Sequence, residues 1–153
     1  MFDMSPRDII EAEEIFKLIC LAKDKHGIEG VTFLGGEPML QAIGLSVVAD
    51  RCKEIGLSVV VFTGYKLEYL QNNPMPGVSE LLSVVDILVD GAFVSSKLET
   101  HRNWVGSTNQ DFHYLSNHYP PGIELDPKYP NGFELRLFKD GTLRANGVPL
   151  VLY

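Results

Sequence analysis

Two cysteines, Cys20 and Cys52, are all that 153 residues contain. With so few, a disulfide-stapled scaffold is not expected for a chain of this size and composition. Basic residues are also scarce. Thirteen Lys and Arg face 20 Asp and Glu, for a net charge of −7. That balance argues against a nucleic-acid backbone binder, which needs clustered cations. It leaves room for a nucleotide-like ligand held by one loop. No apolar run approaches the ~20 residues of a membrane span. Met1 to Asp8 is acidic and lacks the basic-then-apolar order of a signal peptide, so the cytoplasm is the expected location.

What the chain does have is enough apolar material for one core, 45% hydrophobic against 22% charged. Asp3 or Ser5 can cap a first helix with Pro6 in its first turn, and Ile9, Ala12, Ile15, Phe16, Ile19 and Ala22 recur at helical spacing. Gly27 ends that helix. Gly30 to Leu34 reads as a short strand. Pro38 opens a second helix, Met39 to Ile55, with an expected inner stripe of Leu40, Ile43, Val47, Val48 and Cys52. Leu57 to Phe62 is an apolar, β-branched run, as in a strand buried on both faces. Short helices are expected around Lys66 to Gln71 and Val78 to Ser83, and a further strand at Val85 to Val89. This alternation predicts parallel βα units. Residues 95 to 132 read as polar loop. Phe133, Leu135 and Leu137 alternate with polar residues before Asp140-Gly141, a hairpin signal.

Four places can carry chemistry. Gly35-Gly36-Glu37-Pro38 joins a strand end to a helix, and the two glycines let the backbone turn sharply beside a ligand. In α/β folds ligands sit beyond the carboxyl ends of strands. The competing reading is a purely structural turn. Thr63-Gly64, ending the next strand, offers a hydroxyl and bare backbone, but can equally be a turn. Asp90 falls at a strand's carboxyl end before Gly91, as a ligand group or a loop cap. Arg102 to Gln110, with Gly106, Ser107, Asn109 and Gln110, either lines a partner groove or ties a long loop together. Chemistry alone favours the latter.

In order, Gly30-Val31-Thr32-Phe33-Leu34-Gly35-Gly36-Glu37-Pro38, Phe62-Thr63-Gly64-Tyr65, Val85 to Phe93 with Asp90-Gly91, and Arg102 to Gln110 resemble the radical S-adenosylmethionine activases of glycyl radical enzymes. The nearest branch is that of anaerobic ribonucleotide reductase. The resemblance covers residues from about 8 to 115. It implies an α/β fold, a truncated partial (βα) barrel over residues 1–115 with parallel strands, and a C-terminal extension over 116–153 with a β-hairpin, all in one domain. It implies a [4Fe–4S] cluster that reductively cleaves S-adenosylmethionine, so that a hydrogen is removed from a glycine of the partner enzyme. Gly35, Gly36 and Glu37, in the turn closed by Pro38, would hold the methionine amino group. Thr63 and Gly64 would lie near the ribose or methionine part, and Asp90 would line the same cavity. Arg102, Gly106, Ser107, Asn109 and Gln110 match a family motif with a partner-facing or loop-ordering role.

One departure is plain. The family binds its cluster through a Cys-x3-Cys-x2-Cys loop after the first strand, three thiolates on one short loop. The sequence contains no such loop. Cys20 and Cys52 fall on expected helices, where each reads as a small buried hydrophobe. His26 sits at a helix end, and His113 and His118, beside Tyr114 and Tyr119, make a weak case for a metal site. No catalytic side chain and no metal ligand is therefore assigned. The chain is expected to start at the helix that follows the cluster loop, leaving the strand at 30–34 with an open, apolar edge that invites self-association. Two readings follow. One is part of an activase acting on a glycyl radical enzyme; the other is a cluster-free module that binds or docks without catalysis. A third, an unrelated α/β domain, is disfavoured by the motif order.

Overall fold

Val59, Val60 and Val61 alternate across the sheet, and their strand is the second of four. The computed structural model describes residues 9–129 and the strands 133–137 and 143–147. The expected capping residues Asp3, Ser5 and Pro6, and the Asp140-Gly141 turn, lie outside them. Chain order is α1 (Ala12–His26), β1 (Gly30–Phe33), a 3-10 turn (Pro38–Gln41), α2 (Ala42–Glu54), β2 (Ser58–Phe62), α3 (Leu67–Asn72), α4 (Val78–Val84), β3 (Ile87–Asp90), β4 (Asp111–Tyr114), then β5 (Phe133–Leu137) and β6 (Leu143–Gly147). The sheet runs β1-β2-β3-β4. β1, β2 and β3 are parallel, while β4 joins β3 antiparallel with Leu88 opposite His113. β5 and β6 pair antiparallel as a separate two-stranded sheet, as the hairpin signal predicts.

The expected parallel α/β pattern therefore holds for three strands, and the fourth departs from it. β4 has four residues, DFHY, inside a stretch read as loop. Its register comes from β3, and little in its own sequence marks it as a strand.

Alternation divides the sheet into two faces. Val59, Val61 and Leu88 point into a core shared with Phe16 of α1, Ala42, Val48, Ala49 and Cys52 of α2, and Val78 and Leu81 of α4. Val60, Phe62, Ile87, Val89 and Phe112 point the other way, towards Val105 and Ile123 of the long connections. Helices cover the first face and loops only part of the second.

The stripe expected for α2 needs correction. Val48 and Cys52 are buried, but Leu40, Ile43 and Val47 are 49%, 64% and 50% exposed. Pro38–Gln41 winds as a tighter 3-10 turn that sends Met39 inward, which shifts the phase of the following helix. Small Ala42 and Ala49 then face the sheet. The opposite side of α2 is left apolar and uncovered among the described residues.

Asp86 pins the layers together. Its buried carboxylate takes Lys53 Nζ at 2.6 and 2.7 Å, the Val59 N–H at 2.8 Å and the Ser116 hydroxyl. Burial pushes its pKa up; these donors outweigh burial and leave it lowered.

Candidate functional site: a cavity on the open face of the sheet

The face that the α-helices leave uncovered forms the floor of a cavity of about 780 Å³. Thr32, Val60, Phe62, Ile87 and Phe112 make the floor, one or two from each strand. Strand carboxyl ends place Gly35, Gly36, Glu37, Thr63, Gly64 and Gly91 around its upper rim. Phe93, Trp104, Gly106 and Gln110 enter from the connection between β3 and β4, with Tyr129 beyond it.

Glu37 organises the rim. One carboxylate oxygen takes the Met39 N–H at 3.0 Å and the Thr63 hydroxyl at 2.7 Å; the other takes the Gly64 N–H at 2.9 Å. The first contact caps the 3-10 turn, and the other two fasten the end of β1 to the end of β2. Thr63 Oγ1 in turn accepts from the Tyr65 N–H at 3.2 Å. Gly35 and Gly36 have φ of +88° and +54°, a region side chains rarely enter. A Cβ on Gly36 would meet only Gln41 Nε2, at 3.6 Å, and one on Gly35 would meet nothing within 4 Å. The turn is thus a bare-backbone concavity open to the cavity.

Gly35, Gly36, Glu37, Thr63 and Gly64 come together at this rim. Pro38 is buried as the first residue of the 3-10 turn and does not line the cavity. Asp90 does not line it either, against the expectation from sequence. Strand alternation turns its carboxylate to the helix side, where it takes the Leu67 N–H at 2.7 Å, Lys66 Nζ at 2.9 Å and His113 Nε2 at 2.9 Å. Burial raises the Asp90 pKa, and the Leu67 N–H, Lys66 and His113 together overcome it, leaving the carboxyl lowered. Asp90 is therefore the loop-capping group that the sequence left as its alternative role.

Asp90, Asp111 and His113 bring three ligating atoms within 4.8 Å of one another. Lys66 Nζ already bridges the two carboxylates, 2.9 Å from Asp90 and 2.8 Å from Asp111. An ammonium supplies the cation there. His118 is elsewhere, edge-on to Tyr119.

The Arg102–Gln110 stretch ties its own loop. Gln110 Oε1 accepts the Gly106 and Ser107 N–H groups at 3.0 and 3.1 Å, and Nε2 donates to the Gly91 carbonyl at 2.7 Å. Ser107 Oγ accepts from the Val94 N–H at 3.1 Å, and Asn109 Nδ2 donates to the Ala92 carbonyl at 2.8 Å. Arg102 Nε pairs with Glu99 at 2.7 Å. Of the five expected site residues Arg102, Gly106, Ser107, Asn109 and Gln110, only Gly106 and Gln110 reach the cavity wall.

The aromatic wall, Phe93, Trp104, Phe112 and Tyr129, was not singled out from sequence. A signal for part of it existed: the chain's one tryptophan sits inside a polar, glycine-containing stretch, where a core residue is out of place.

The lining offers bare backbone, a carboxylate and aromatic faces to a ligand. This lining does not fit an iron–sulfur cluster, because it contains no cysteine. Cys52 is fully buried in the helix-side core and Cys20 packs against it, on the opposite face of the sheet from the cavity. No thiolate among the described residues borders the cavity.

This chain belongs to the family described as the 4Fe-4S single cluster domain, whose model matches residues 3–113. Among curated proteins it is similar to the anaerobic ribonucleoside-triphosphate reductase-activating proteins of Escherichia coli K12, 32% identical over 91 residues, and of Haemophilus influenzae, 32% identical over 89 residues. These matches cover 57% and 56% of this chain and 56% and 55% of the relatives. The protein of that name from Salmonella typhimurium is 31% identical over 91 residues. The relationship to reductase activases read from the motif order is thereby borne out. The chain spans little more than half the length of these relatives. No solved structure matches it significantly. No helix among the described residues is long and apolar enough to cross a membrane.

Proposed function

We propose that this chain is the S-adenosylmethionine-binding body of an activating enzyme that generates a glycyl radical on a partner, with an anaerobic ribonucleotide reductase as the partner class. The observation that carries the reading is the Glu37 bridge, which holds the bare Gly35-Gly36 turn against Thr63-Gly64 at the strand ends of an open cavity. In this reading the three parallel strands are part of a (βα) barrel whose interior is that cavity, and residues 116–153 are an extension of the same domain. The turn's carbonyls accept from the ligand's ammonium, Glu37 adds negative charge beside it, and the Thr63 end borders the ribose. A [4Fe–4S] cluster, were one held by ligands outside the described residues, would supply the electron for reductive cleavage of the cofactor. No described residue holds that cluster. We place the protein in the cytoplasm, and the outer edge of β1, unpaired among the described residues, is the surface for self-association.

A second reading is supported by the cysteines. Both sit on the helix side, so the chain by itself is a cluster-free module that binds the cofactor or docks a partner without catalysis.

Anaerobic calorimetric titration with S-adenosylmethionine tests the binding reading. Saturable heat that is lost in Gly36→Val, with circular dichroism showing both proteins folded, is the expected result. A folded chain that gives no heat removes the binding function from this chain.

A further inference from the structure

We infer that Trp104, backed by Tyr129 and Phe112, is the stacking platform for the adenine of the ligand, and so sets the nucleobase end of the cavity. The inference rests on the S-adenosylmethionine reading above and adds the residue that recognises the base.

The starting point is backbone geometry. Among the described residues Trp104 is the only non-glycine with positive φ, at +64°. Bulky side chains seldom adopt that conformation, and such outliers concentrate at binding sites. The flanks show what holds it there. Asn103 is 8% exposed, donates its N–H to the Glu124 carbonyl at 2.6 Å and donates Nδ2 to the Asp126 carbonyl at 2.8 Å. Val105 is 1% exposed in the core of the open face. Between these two anchors Trp104 stays 38% exposed and lines the cavity. A tryptophan needed only as core filler would be turned inward with its neighbours.

The indole is also braced. Its ring lies 5.4 Å from Tyr129 and 6.3 Å from Phe112, centroid to centroid. Phe93, 45% exposed, extends the aromatic surface. Gly106 allows this, because a Cβ there would come within 3.0 Å of the Phe93 ring. A rigid, half-wet aromatic shelf is suited to the π-face of a base and selects for nothing charged.

Placement completes the case. Trp104 packs on β4 and the Gly35-Gly36 turn follows β1, three strand spacings away, or ~14 Å at the usual interval. The end of β2, Thr63-Gly64, lies between them. An amino acid joined to a ribose joined to a purine has its three parts in that same linear order and a comparable length.

The chain has one tryptophan, so its emission reports Trp104 alone. The full chain is titrated with S-adenosylmethionine, 5′-deoxyadenosine and L-methionine, following fluorescence and, separately, heat. The expected result is saturable quenching by both adenine compounds and none by methionine. Trp104→Ala weakens S-adenosylmethionine binding about tenfold while Trp104→Phe keeps it within a few-fold, as the usual worth of base stacking requires. Gly36-dependent heat with unchanged emission and undiminished affinity in Trp104→Ala overturns the platform and leaves the cofactor reading standing. Quenching by 5′-deoxyadenosine without S-adenosylmethionine heat keeps the platform and overturns that reading. Absence of both signals overturns both.

Discussion

The Glu37 carboxylate holds the Thr63 hydroxyl at 2.7 Å, and this one bond spans the ends of two neighbouring parallel strands. The same carboxylate also serves the Met39 and Gly64 N–H groups. Three donors converge on one acceptor-only group, so an amide cannot replace it: one of its two ends would face a donor with a donor. Glu37→Gln is expected to cost about 1–3 kcal/mol of stability and to weaken S-adenosylmethionine binding. Urea unfolding measures the first. A double-mutant cycle with Thr63→Val isolates the shared bond, and a coupling indistinguishable from zero would show that the rim is held by something else.

Two glycines on either side of the α2–α4 contact should respond with opposite signs. Gly77 has φ of +77°, and a Cβ there would sit 2.4 Å from the Ile43 nitrogen and 2.6 Å from its Cα. Gly77→Ala therefore meets both backbone strain and a clash with helix backbone that cannot step aside, and should destabilise by at least about 1–3 kcal/mol. Gly44 lies in the helical first turn of α2, where an added Cβ meets nothing within 4 Å. Gly44→Ala should stabilise by up to about 1 kcal/mol, because alanine loses less backbone entropy on entering a helix. Thermal melts of the two variants beside the parent decide both signs.

Local and long-range features of the fold leave different marks in the sequence. The β-branched run Leu57 to Phe62 and the glycines after α1 and β1 mark local backbone states, and β2 and the ends of α1 and β1 stand where expected, whereas α1 begins only at Ala12 and leaves Ile9 outside it, 87% exposed. The inward face of α2 was legible only in part. Val48 and Cys52 face inward as the spacing predicts, but Leu40, Ile43 and Val47 do not, because a short 3-10 turn changes the helical phase and nothing in Pro38–Gln41 announces it. β4 escaped because its pairing with β3 is a long-range event. Asp90 turns to the helix side, and a residue at a strand end shows its face only once the register is known. The rim residues Gly35, Gly36, Glu37, Thr63 and Gly64 are different: their clustering follows from parallel topology alone, which puts successive strand ends side by side.

Gln110 makes a prediction about order within a loop. Its side-chain amide closes three bonds, two from the Gly106 and Ser107 N–H groups and one to the Gly91 carbonyl. Gln110→Ala leaves all three groups without that partner in a nearly buried place, at a cost of about 2–3 kcal/mol. Hydrogen exchange gives the sharper readout. Protection of the Gly106 and Ser107 amides should fall by more than that of the β2 amides, and equal loss throughout would mean global destabilisation instead of a freed loop.

Acid should unfold the chain through a small set of carboxylates, Glu99 foremost. The Glu99 carboxylate is held down to about 2, chiefly by the His101 N–H; burial works against this, and the Arg102 guanidinium and the Arg102 and Thr100 N–H groups add to the lowering. In the unfolded chain the same group titrates near its ordinary value of 4.5. A depressed folded-state pKa means that the unfolded state binds the proton first, so the stabilisation is complete above about 4.5 and drains away as the pH falls towards about 2. Asp86 and Asp90 act with the same sign, since each ends up lowered once its donors have outweighed burial. The turn from Glu99 to Arg102 also anchors the segment that presents Trp104, so its loosening in acid should open the cavity wall. Glu99→Gln keeps the shape but removes the charge. It is expected to be less stable than the parent at neutral pH and to show a shallower fall in melting temperature between pH 4.5 and 2. Parallel slopes for parent and variant would remove Glu99 from the acid response.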